Sequence, residues 1–429
     1  MTATSSFDSP LIQFILAHQD DDPARLLLSA EKWPEVDVRR AAQTIAARRK
    51  IKEKLPSWHA HPELEYPSGI SLEQCSSETT ALYKQAFVKP GSRIADLTGG
   101  LGVDFLALSA RASEAHYCEQ DEALCEAARH NFPIVMQGLR PRVKPGMTDD
   151  GKPGVTDDNK HGVTDDVMPD LIRHLHIHQG DGIQWLSQAP GKFDLVYLDP
   201  ARRDKAARRV YDISDCEPDL LQAKPLLLDK ASSVLAKISP MADISRTIAQ
   251  LPEIRELHVL AAGGEVKELL LFMQPGKMET APLIVAAEGS SRFCFRQEEE
   301  AVAEVRYAGR IGKYLLQPSK ALRKAGAFRL LSQRFGIAKL APSTHLYTAD
   351  APVEGFPGKC LEMEDVLDWN KASIKLLRER YGRAELSALN FPLSTEEFRS
   401  RSGIPGGGAH HIFATSLSNK NKILIICKI

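Results

Sequence analysis

Short apolar stretches alternate with amphipathic stretches along residues 93–273, and this alternation constrains the fold more than any other feature of the sequence. The apolar stretches predict strands, and stretches with apolar residues at every third or fourth position predict helices. Such alternation favours a mostly parallel sheet covered by helices on both faces. Only Gly263-Gly264-Glu265 separates the last two strands, so they should form a hairpin. We therefore predict an α/β fold with a seven-stranded, mostly parallel sheet and an antiparallel last strand.

Smaller regions flank this main domain, which we place at residues 71–274. Residues 1–70 carry helical patterns and predict an N-terminal helical region. After residue 275 the pattern changes, and short strands mix with helices. We expect two small C-terminal α+β domains there, a basic one at 275–345 and a second at 358–429.

One segment interrupts the alternation. An eight-residue unit recurs at Lys144, Lys152 and Lys160 and contains almost no apolar residues. Such a segment cannot bury enough apolar surface to fold by itself. We interpret residues 141–168 as a disordered surface insertion; the alternative is a cation site made of its Asp-Asp pairs.

Composition excludes several classes of protein. No apolar run approaches the roughly 20 residues that span a bilayer, and the first residues lack the basic segment of a signal peptide. The seven cysteines stand singly, which fits a reducing cytoplasm and argues against disulfides or a zinc ribbon. His174, His176 and His178 share one strand face, but a strand inside a parallel sheet does not easily bring three histidines to one ion. We expect a cytoplasmic protein with no membrane segment and no metal.

A glycine-rich turn follows the first strand of the main domain. The strand ends at Asp96, and Gly99, Gly100 and Gly102 precede a helix that starts near residue 103. Glycines let the backbone approach a ligand, and the helix start offers unpaired N–H groups. Phe105 stands where a dinucleotide-binding G-x-G-x-x-G motif would need its third glycine. Together with Asp104, the acidic strand end suits a ligand that carries positive charge.

Acidic residues follow the next three strands as well. They are Glu119, Asp181 before Gly182, and Asp199 before Pro200. Because the carboxyl ends of parallel strands lie at one edge, where ligands bind in open α/β sheets, the four acids should converge. Any one of these acids alone is more often a helix cap, and for Asp181 the two interpretations are equal; the ordered set of four is more specific.

The ordered acidic turns resemble those of class I S-adenosylmethionine-dependent methyltransferases. More closely, the sequence resembles bacterial methyltransferases with a C-terminal THUMP-like domain, through the segments LEQCSSETTALYK, DLTGGLGVDF, LDPARRD and NFPLSTEEFRSRSG. The resemblance implies a Rossmann-like catalytic domain, a ferredoxin-like unit at 275–345, a THUMP-like unit at 358–429, and an RNA substrate.

The resemblance also implies S-adenosyl-L-methionine as cofactor. In this sequence Thr98 takes the place of the first glycine of the usual G-x-G-x-G motif, while Gly100 and Gly102 remain. The segment before the first strand should reach over the cofactor, although Ser77 is equally well explained as a helix cap. The implied cofactor contacts are Gln74, Ser77, Asp96, Thr98, Gly99, Gly100, Gly102, Asp104, Glu119, Asp181, Gly182 and Asp199.

Asp199, Pro200 and Arg202 are the predicted catalytic residues. Amino-directed nucleic-acid methyltransferases often have Asp/Asn-Pro-Pro-aromatic here, with the aromatic ring stacked on a flipped base. This sequence has Asp-Pro-Ala-Arg, so it lacks the second proline and the aromatic residue. The methylated base and atom therefore stay open.

Basic residues supply the predicted substrate contacts. Residues 306–339 contain nine lysines and arginines and no acidic residue, which suggests an anionic partner. A solvated basic helix face is the alternative for the arginines after Asp199. The predicted substrate-binding residues are Arg202, Arg203, Lys205, Lys237, Arg306, Arg310, Lys313, Lys320, Arg323 and Lys324.

The leading hypothesis is a methyltransferase that modifies RNA, either tRNA or rRNA. The first alternative is a methyltransferase that acts on a protein or a small molecule. The second is a non-catalytic RNA-binding protein that retains the fold, and the complete acidic series argues against it.

Overall fold

The computed structural model describes residues 9–67, 69–139, 173–202, 213 and 216–429. The predicted insertion at 141–168 lies outside these residues. Two compact units divide the chain: the first comprises Met1–Lys237 with Phe272–Pro275, and the second comprises Ile238–Leu271 with Gly276–Ile429.

Helices form the N-terminal part, as the sequence predicts. Apolar side chains of the first three helices, among them Phe14, Leu26 and Ile45, pack into one buried cluster. Asp37 caps the third helix, since its carboxylate accepts a hydrogen bond from the Arg40 N–H at 3.0 Å. The helices are α1 (Pro10–Ala17), α2 (Pro23–Leu28), α3 (Val38–Ile51), α4 (Pro56–His59), α5 (Gly69–Gln74) and α6 (Glu78–Lys84).

A nine-stranded sheet follows, with the order β11-β10-β8-β9-β7-β4-β1-β2-β3. Pairing is parallel between β1 and β2, β1 and β4, β2 and β3, and β4 and β7. Central strands such as β4 are buried on both faces, as their continuous apolar sequence requires. The strands are β1 (Ser92–Asp96), β2 (Ala112–Glu119), β3 (Leu175–Gln179), β4 (Leu195–Leu198), β7 (Val234–Ile238), β8 (Ile254–Ala262), β9 (Glu265–Met273), β10 (Leu283–Glu288) and β11 (Ser291–Phe295).

The predicted mostly parallel sheet is confirmed, and so is the hairpin of β8 and β9. Two strands extend the predicted seven, because β10 pairs in parallel with β8 and β11 returns antiparallel to β10. The sequence pattern places residues 283–295 in the small basic domain instead. The difference has a physical cause: β8 would otherwise be an open edge strand, and the apolar β10 covers it. The predicted domain limits as a whole stay a prediction.

Helices connect the strands of this sheet. They are α7 (Val103–Ser109), α8 (Glu122–Leu139), α9 (Gly182–Gln188), α10 (Leu220–Lys230) and α11 (Ile244–Gln250). Two short strands, β5 (Ala201–Arg202) and β6 (Cys216–Glu217), pair with each other after β4.

The second unit also contains a seven-stranded sheet, with the order β13-β14-β12-β15-β18-β17-β16. Strand β15 pairs with β12 on one side and β18 on the other, so the two small regions share one sheet. The strands are β12 (Tyr314–Pro318), β13 (Ala338–Ala341), β14 (Thr344–Ala349), β15 (Gly358–Asp368), β16 (Glu385–Leu389), β17 (His410–Ser416) and β18 (Lys422–Lys428). The helices of this part are α12 (Gln297–Val302), α13 (Lys320–Ala325), α14 (Arg329–Phe335), α15 (Lys371–Arg380) and α16 (Thr395–Ser402).

Across the described part of the chain, every helix is too short or too polar to cross a membrane.

Candidate active site

The carboxyl ends of β1, β2, β3 and β4 lie side by side in the first unit. Asp96 at the end of β1 is in register with Tyr117 of β2 and Tyr197 of β4. Glu119 at the end of β2 is in register with Gln179 of β3. The four predicted acidic turns therefore follow one edge of the sheet.

Two glycines allow close packing at the turn between β1 and α7, one within the turn and one after β3. Gly102 has φ +84°, in the left-handed region that favours glycine, and a Cβ there would lie 2.3 Å from the Phe132 ring. Gly182 approaches the turn closely, since a Cβ on it would lie 2.2 Å from the Leu97 carbonyl oxygen. The turn is also tied to β2, because the Gly99 N–H donates to the Cys118 carbonyl at 2.8 Å.

Glu119 and Asp181 both hold backbone N–H groups. The Glu119 carboxylate accepts from Gly100 N at 2.7 Å and from Asp121 N at 2.8 Å. Asp181 caps α9, accepting from Gln184 N at 2.7 Å, and it also accepts from Gln120 Nε2 at 3.2 Å. The cap interpretation of Asp181 thus describes its present contacts, and its contact with a cofactor stays a prediction.

Asp96 is the most buried carboxylate of the series, with 1% of its surface exposed. Its Oδ1 accepts a hydrogen bond from Thr98 N at 3.0 Å. Burial raises its pKa well above the ordinary value, and the nearby charges of Asp104, Asp199 and Glu119 raise it further. Two of these three, Glu119 and Asp199, belong to the acidic series that the sequence places at the same edge.

Asp104 belongs to a buried polar network. Lys84 Nζ lies 2.7 Å from Asp104 Oδ1, while Ser76 Oγ and Tyr197 OH donate to Oδ2 at 2.8 and 2.7 Å. Burial alone would raise the pKa of Asp104, but the charges of Lys84 and Lys237 outweigh it and the pKa is lowered. Asp104 is therefore an ionised carboxylate held between α6, α7 and β4.

Lys84 is a member of this network that the sequence did not predict. The sequence does contain a signal for the burial of Lys84. On α6 this residue follows Thr80 and Ala81 at helical spacing, which places it on the buried face of the helix. A lysine that is 0% exposed on such a face requires a carboxylate partner.

Asp199 pairs with Lys237, the lysine near the end of β7. Lys237 Nζ lies 2.6 Å from Asp199 Oδ2, and the two side chains are 13% and 33% exposed. The Asp199 N–H donates to Thr98 Oγ1 at 2.6 Å, which joins the turn after β4 to the turn after β1. The structure thus brings together the predicted residues Thr98, Asp199 and Lys237, with Pro200 following directly.

Other predicted residues have different positions. Gln74 is exposed at the end of α5, and Ser77 caps α6 by accepting from Thr80 N at 3.3 Å. The backbone of Arg202 lies in β5, next to Cys216 of β6. Arg203 and Lys205 lie outside the described residues.

The basic stretch at 306–339 is in the second unit, and much of its charge has partners within that unit. Arg306 Nη2 donates to the Gly336 carbonyl at 2.8 Å, and Lys324 Nζ donates to the Ala242 carbonyl at 2.8 Å. Arg310 pairs with the exposed Asp350 at 2.7 Å.

Two other predicted residues of this stretch remain available for an anion. Lys313 and Lys320 are exposed. Arg323 is partly buried, and its Nε atom has no hydrogen-bond partner among the described residues.

Comparison with solved structures identifies a relative of nearly the same length. It is a protein from Porphyromonas gingivalis W83 with a provisional methyltransferase name, at 34% sequence identity and a TM-score of 0.80. The match covers 97% of this chain and 97% of the relative. A family model described as a ferredoxin-like domain matches residues 314–357, and one described as THUMP domain-like matches residues 358–428.

Two more distant structures also match. A Streptococcus pneumoniae protein with a provisional tRNA (m1A22) methyltransferase name is 10% identical, over 48% of this chain and 73% of that chain, with a TM-score of 0.30. A Pyrococcus horikoshii protein with a provisional RNA methyltransferase name is 13% identical, over 51% of this chain and 97% of that chain, also with a TM-score of 0.30. Similarity at this level supports no conclusion.

No curated protein matches the sequence. The full-length relative, the THUMP-like family model and the acidic edge of the parallel sheet agree with one another. The chain belongs to the class I S-adenosylmethionine-dependent methyltransferases that carry a C-terminal THUMP-like domain.

Proposed function

We propose that this protein transfers a methyl group from S-adenosylmethionine to RNA, with Asp199 as the residue that binds the nucleophile. The observation that carries the proposal is the Asp199–Lys237 ion pair of 2.6 Å at the carboxyl edge of the sheet, beside the acidic series. A charged pair that remains partly open to solvent at a ligand-binding edge is suited to contact a substrate.

The residues at this edge fit the cofactor chemically. S-adenosylmethionine carries an ammonium group, a sulfonium, ribose hydroxyls and an adenine amino group, all of which are complementary to carboxylates. In our proposal Asp96 faces the ammonium group, Glu119 accepts from the ribose hydroxyls and Asp181 accepts from the adenine amino group. Glu119 and Asp181 keep acceptor capacity, because each carboxylate oxygen can accept more than the one hydrogen bond described.

The bound cofactor supplies an electrophilic methyl group on a positively charged sulfur. Asp199 holds the substrate nucleophile through a hydrogen bond to its carboxylate, which fixes the direction of the lone pair. When the new bond forms, the proton of the nucleophile passes to Asp199 or to solvent. Lys237 keeps the Asp199 carboxylate in place through its bond to Oδ2, so that Oδ1 faces the substrate.

The proposal of an RNA substrate has separate support. The second unit contains the THUMP-like region and a stretch of 34 residues, 306–339, without an acidic side chain. The exposed Lys313 and Lys320 are suited to bind phosphate oxygens. Because the aromatic residue of the Asp/Asn-Pro-Pro-aromatic motif is missing after Pro200, we do not propose which base is methylated.

The direct test is transfer of labelled methyl groups from S-adenosylmethionine into total RNA from a strain that lacks this protein, followed by identification of the labelled nucleoside. We expect label in one nucleoside of tRNA or rRNA. RNA from a strain that has the protein is the control, since its sites should already be methylated. Label in protein or small molecules but not in RNA would contradict the RNA proposal and support the alternative substrate class.

Cofactor binding should become tighter as the pH rises through the titration of Asp96. Its pKa is raised in the free protein, chiefly by burial, so it keeps a proton to higher pH than an ordinary aspartate. A cationic ligand favours the ionised carboxylate, and binding must therefore release a proton. Calorimetry in two buffers with different ionisation enthalpies measures this release. Asp96→Asn should remove the release, Asp229→Asn on α10 should keep it, and pH-independent affinity in the unmodified protein would contradict the prediction.

RNA affinity should fall steeply with salt, and Lys313 and Lys320 should contribute to that dependence. Each phosphate contact that is lost reduces the slope of log affinity against log salt by about 0.7 for single-stranded RNA. The Lys313→Gln, Lys320→Gln double variant should therefore bind more weakly and with a shallower slope. Lys192→Gln is the matched control, since Lys192 is exposed before β4, at the opposite end of that strand from Asp199. A salt-independent interaction would refute RNA binding through phosphates.

A further inference from the structure

A cluster of histidines lies on β2 and β3, within the strands that precede the acidic turns. Glu114 and His116 lie on β2, and His176 and His178 lie on β3, the last strand of the sheet order. His116 is in direct register with His176, so alternate residues of both strands place all four side chains on one face. The proposed transfer reaction uses none of these residues.

The four side chains are in close contact. His116 Nε2 lies 2.7 Å from Glu114 Oε1, and His116 Nδ1 lies 2.9 Å from His178 Nε2. The His116 and His176 rings stack with centroids 4.8 Å apart. One ligand atom from each of Glu114, His116 and His176 lies within 4.8 Å of the other two.

Aromatic side chains enclose one side of the cluster. Trp185 and Phe193 pack against His116 from the side of α9 and β4. Neutral imidazoles have the free lone pair that a metal ion requires. His176 is exposed, so an ion can enter from solvent.

We propose that Glu114, His116 and His176 form a site for a divalent transition-metal ion of the zinc class. His116 Nε2, a ring nitrogen of His176 and a Glu114 carboxylate oxygen supply three ligands, and water supplies the fourth. This is the donor set and number that zinc takes in open sites. Two imidazoles exclude Mg²⁺ and Ca²⁺, which prefer oxygen ligands.

His178 and Arg93 then act as positioning residues around the ligands. In the proposed site the ion replaces the proton between His116 Nε2 and Glu114. The His116 Nδ1–H then donates to His178 Nε2, and this hydrogen bond fixes the orientation of the His116 ring. Arg93 Nε already donates to Glu114 Oε1 at 2.9 Å and holds this carboxylate. Hydrogen-bond partners that orient the metal ligands in this way are a regular part of histidine metal sites. The site would tie β3 to β2 beside the turns that carry Glu119 and Asp181.

The test uses the full-length protein without a histidine tag, after treatment with a chelator. Calorimetric titration with Zn²⁺ should give one equivalent per chain, and Co²⁺ should give the visible absorption of a tetrahedral complex. His176→Ala and Glu114→Gln should each weaken binding by more than tenfold. His178→Ala should weaken it about 10–100-fold, as expected for a positioning partner. Circular dichroism checks that the exposed His176 can be replaced without unfolding.

His258→Gln is the matched control. His258 pairs with Glu256 at 2.9 Å, two residues earlier on β8, but belongs to no group of three potential ligands among the described residues. Its replacement should leave the affinity for Zn²⁺ unchanged. Absence of one-to-one binding, or an affinity that His176→Ala does not change, would overturn the proposal, and neither result depends on whether the protein methylates RNA.

Discussion

Asp199→Ala is expected to reduce methyl transfer about 10²–10⁴-fold, the usual contribution of a positioned acid–base group. Affinity for S-adenosylhomocysteine should change little, because the cofactor-facing acids Asp96, Glu119 and Asp181 remain. The residue lies at the end of β4, with its carboxylate paired to Lys237 and its N–H bonded to Thr98. Alanine keeps that N–H bond and removes only the carboxylate. Single-turnover transfer into RNA from the deletion strain gives the rate, and calorimetry gives the affinity.

The matched control is Asp229→Ala, an exposed aspartate of α10 for which the described part of the chain shows no side-chain hydrogen bond. It should transfer methyl groups at the rate of the unmodified protein. The transfer rate of Lys237→Met should lie between those of Asp199→Ala and Asp229→Ala, because the Asp199 carboxylate remains but loses the ion pair that orients it. Equal losses of transfer and of cofactor affinity in Asp199→Ala would show that Asp199 holds the cofactor instead of the nucleophile.

Lys84→Met should destabilise the protein by about 3–5 kcal/mol, as expected when one partner of a buried ion pair is removed. Lys84 is fully buried, and its Nζ lies 2.7 Å from Asp104, so methionine would leave the Asp104 carboxylate buried without its cation. Ser76 and Tyr197 also bond to Asp104, but neither supplies a charge. Chemical denaturation of the full-length protein, followed by near-ultraviolet circular dichroism, measures the loss.

Lys50→Met is the control for this prediction. Lys50 pairs with Glu73 at 2.6 Å, but the two side chains are 50% and 66% exposed. Exposed pairs contribute about 0–1 kcal/mol, so the variant should unfold almost like the unmodified protein. Adding Asp104→Asn to Lys84→Met should recover part of the stability, because the uncompensated charge is removed. Equal destabilisation by both lysine variants would refute the role of the Lys84–Asp104 pair.

Sequence patterns predicted the fold well where the information is local. Each acidic turn is marked by a strand that ends and a helix that begins, and the alternation of both elements places the turns at one edge. The sequence could not show that β10 would pair with β8, because no local pattern in either segment indicates which strand is its neighbour in the sheet. The same limit applies to Lys84: its burial depends on Asp104, 20 residues later in the chain.

The sequence indicates which residues could form the predicted site, but it does not indicate their present contacts. Asp181 and Ser77 are helix caps, and the local sequence was compatible with both the cap and the ligand interpretation. The sequence named Lys237 only as an isolated substrate contact. Its pairing with Asp199 depends on the neighbouring positions of β4 and β7, which the order of strands in the sheet determines.

Strand β15 has a consequence for how the C-terminal half can be divided. It begins at Gly358, the first residue of the THUMP-like match, yet its first five residues pair with β12 of the ferredoxin-like match. A chain cut between residues 357 and 358 would leave β12 with an unpaired edge, and the THUMP-like fragment would carry a strand that lacks one neighbour. Both fragments would tend to aggregate through these open edges. The two matched regions should therefore be expressed, purified and transferred to other proteins together, as one folding unit with two names.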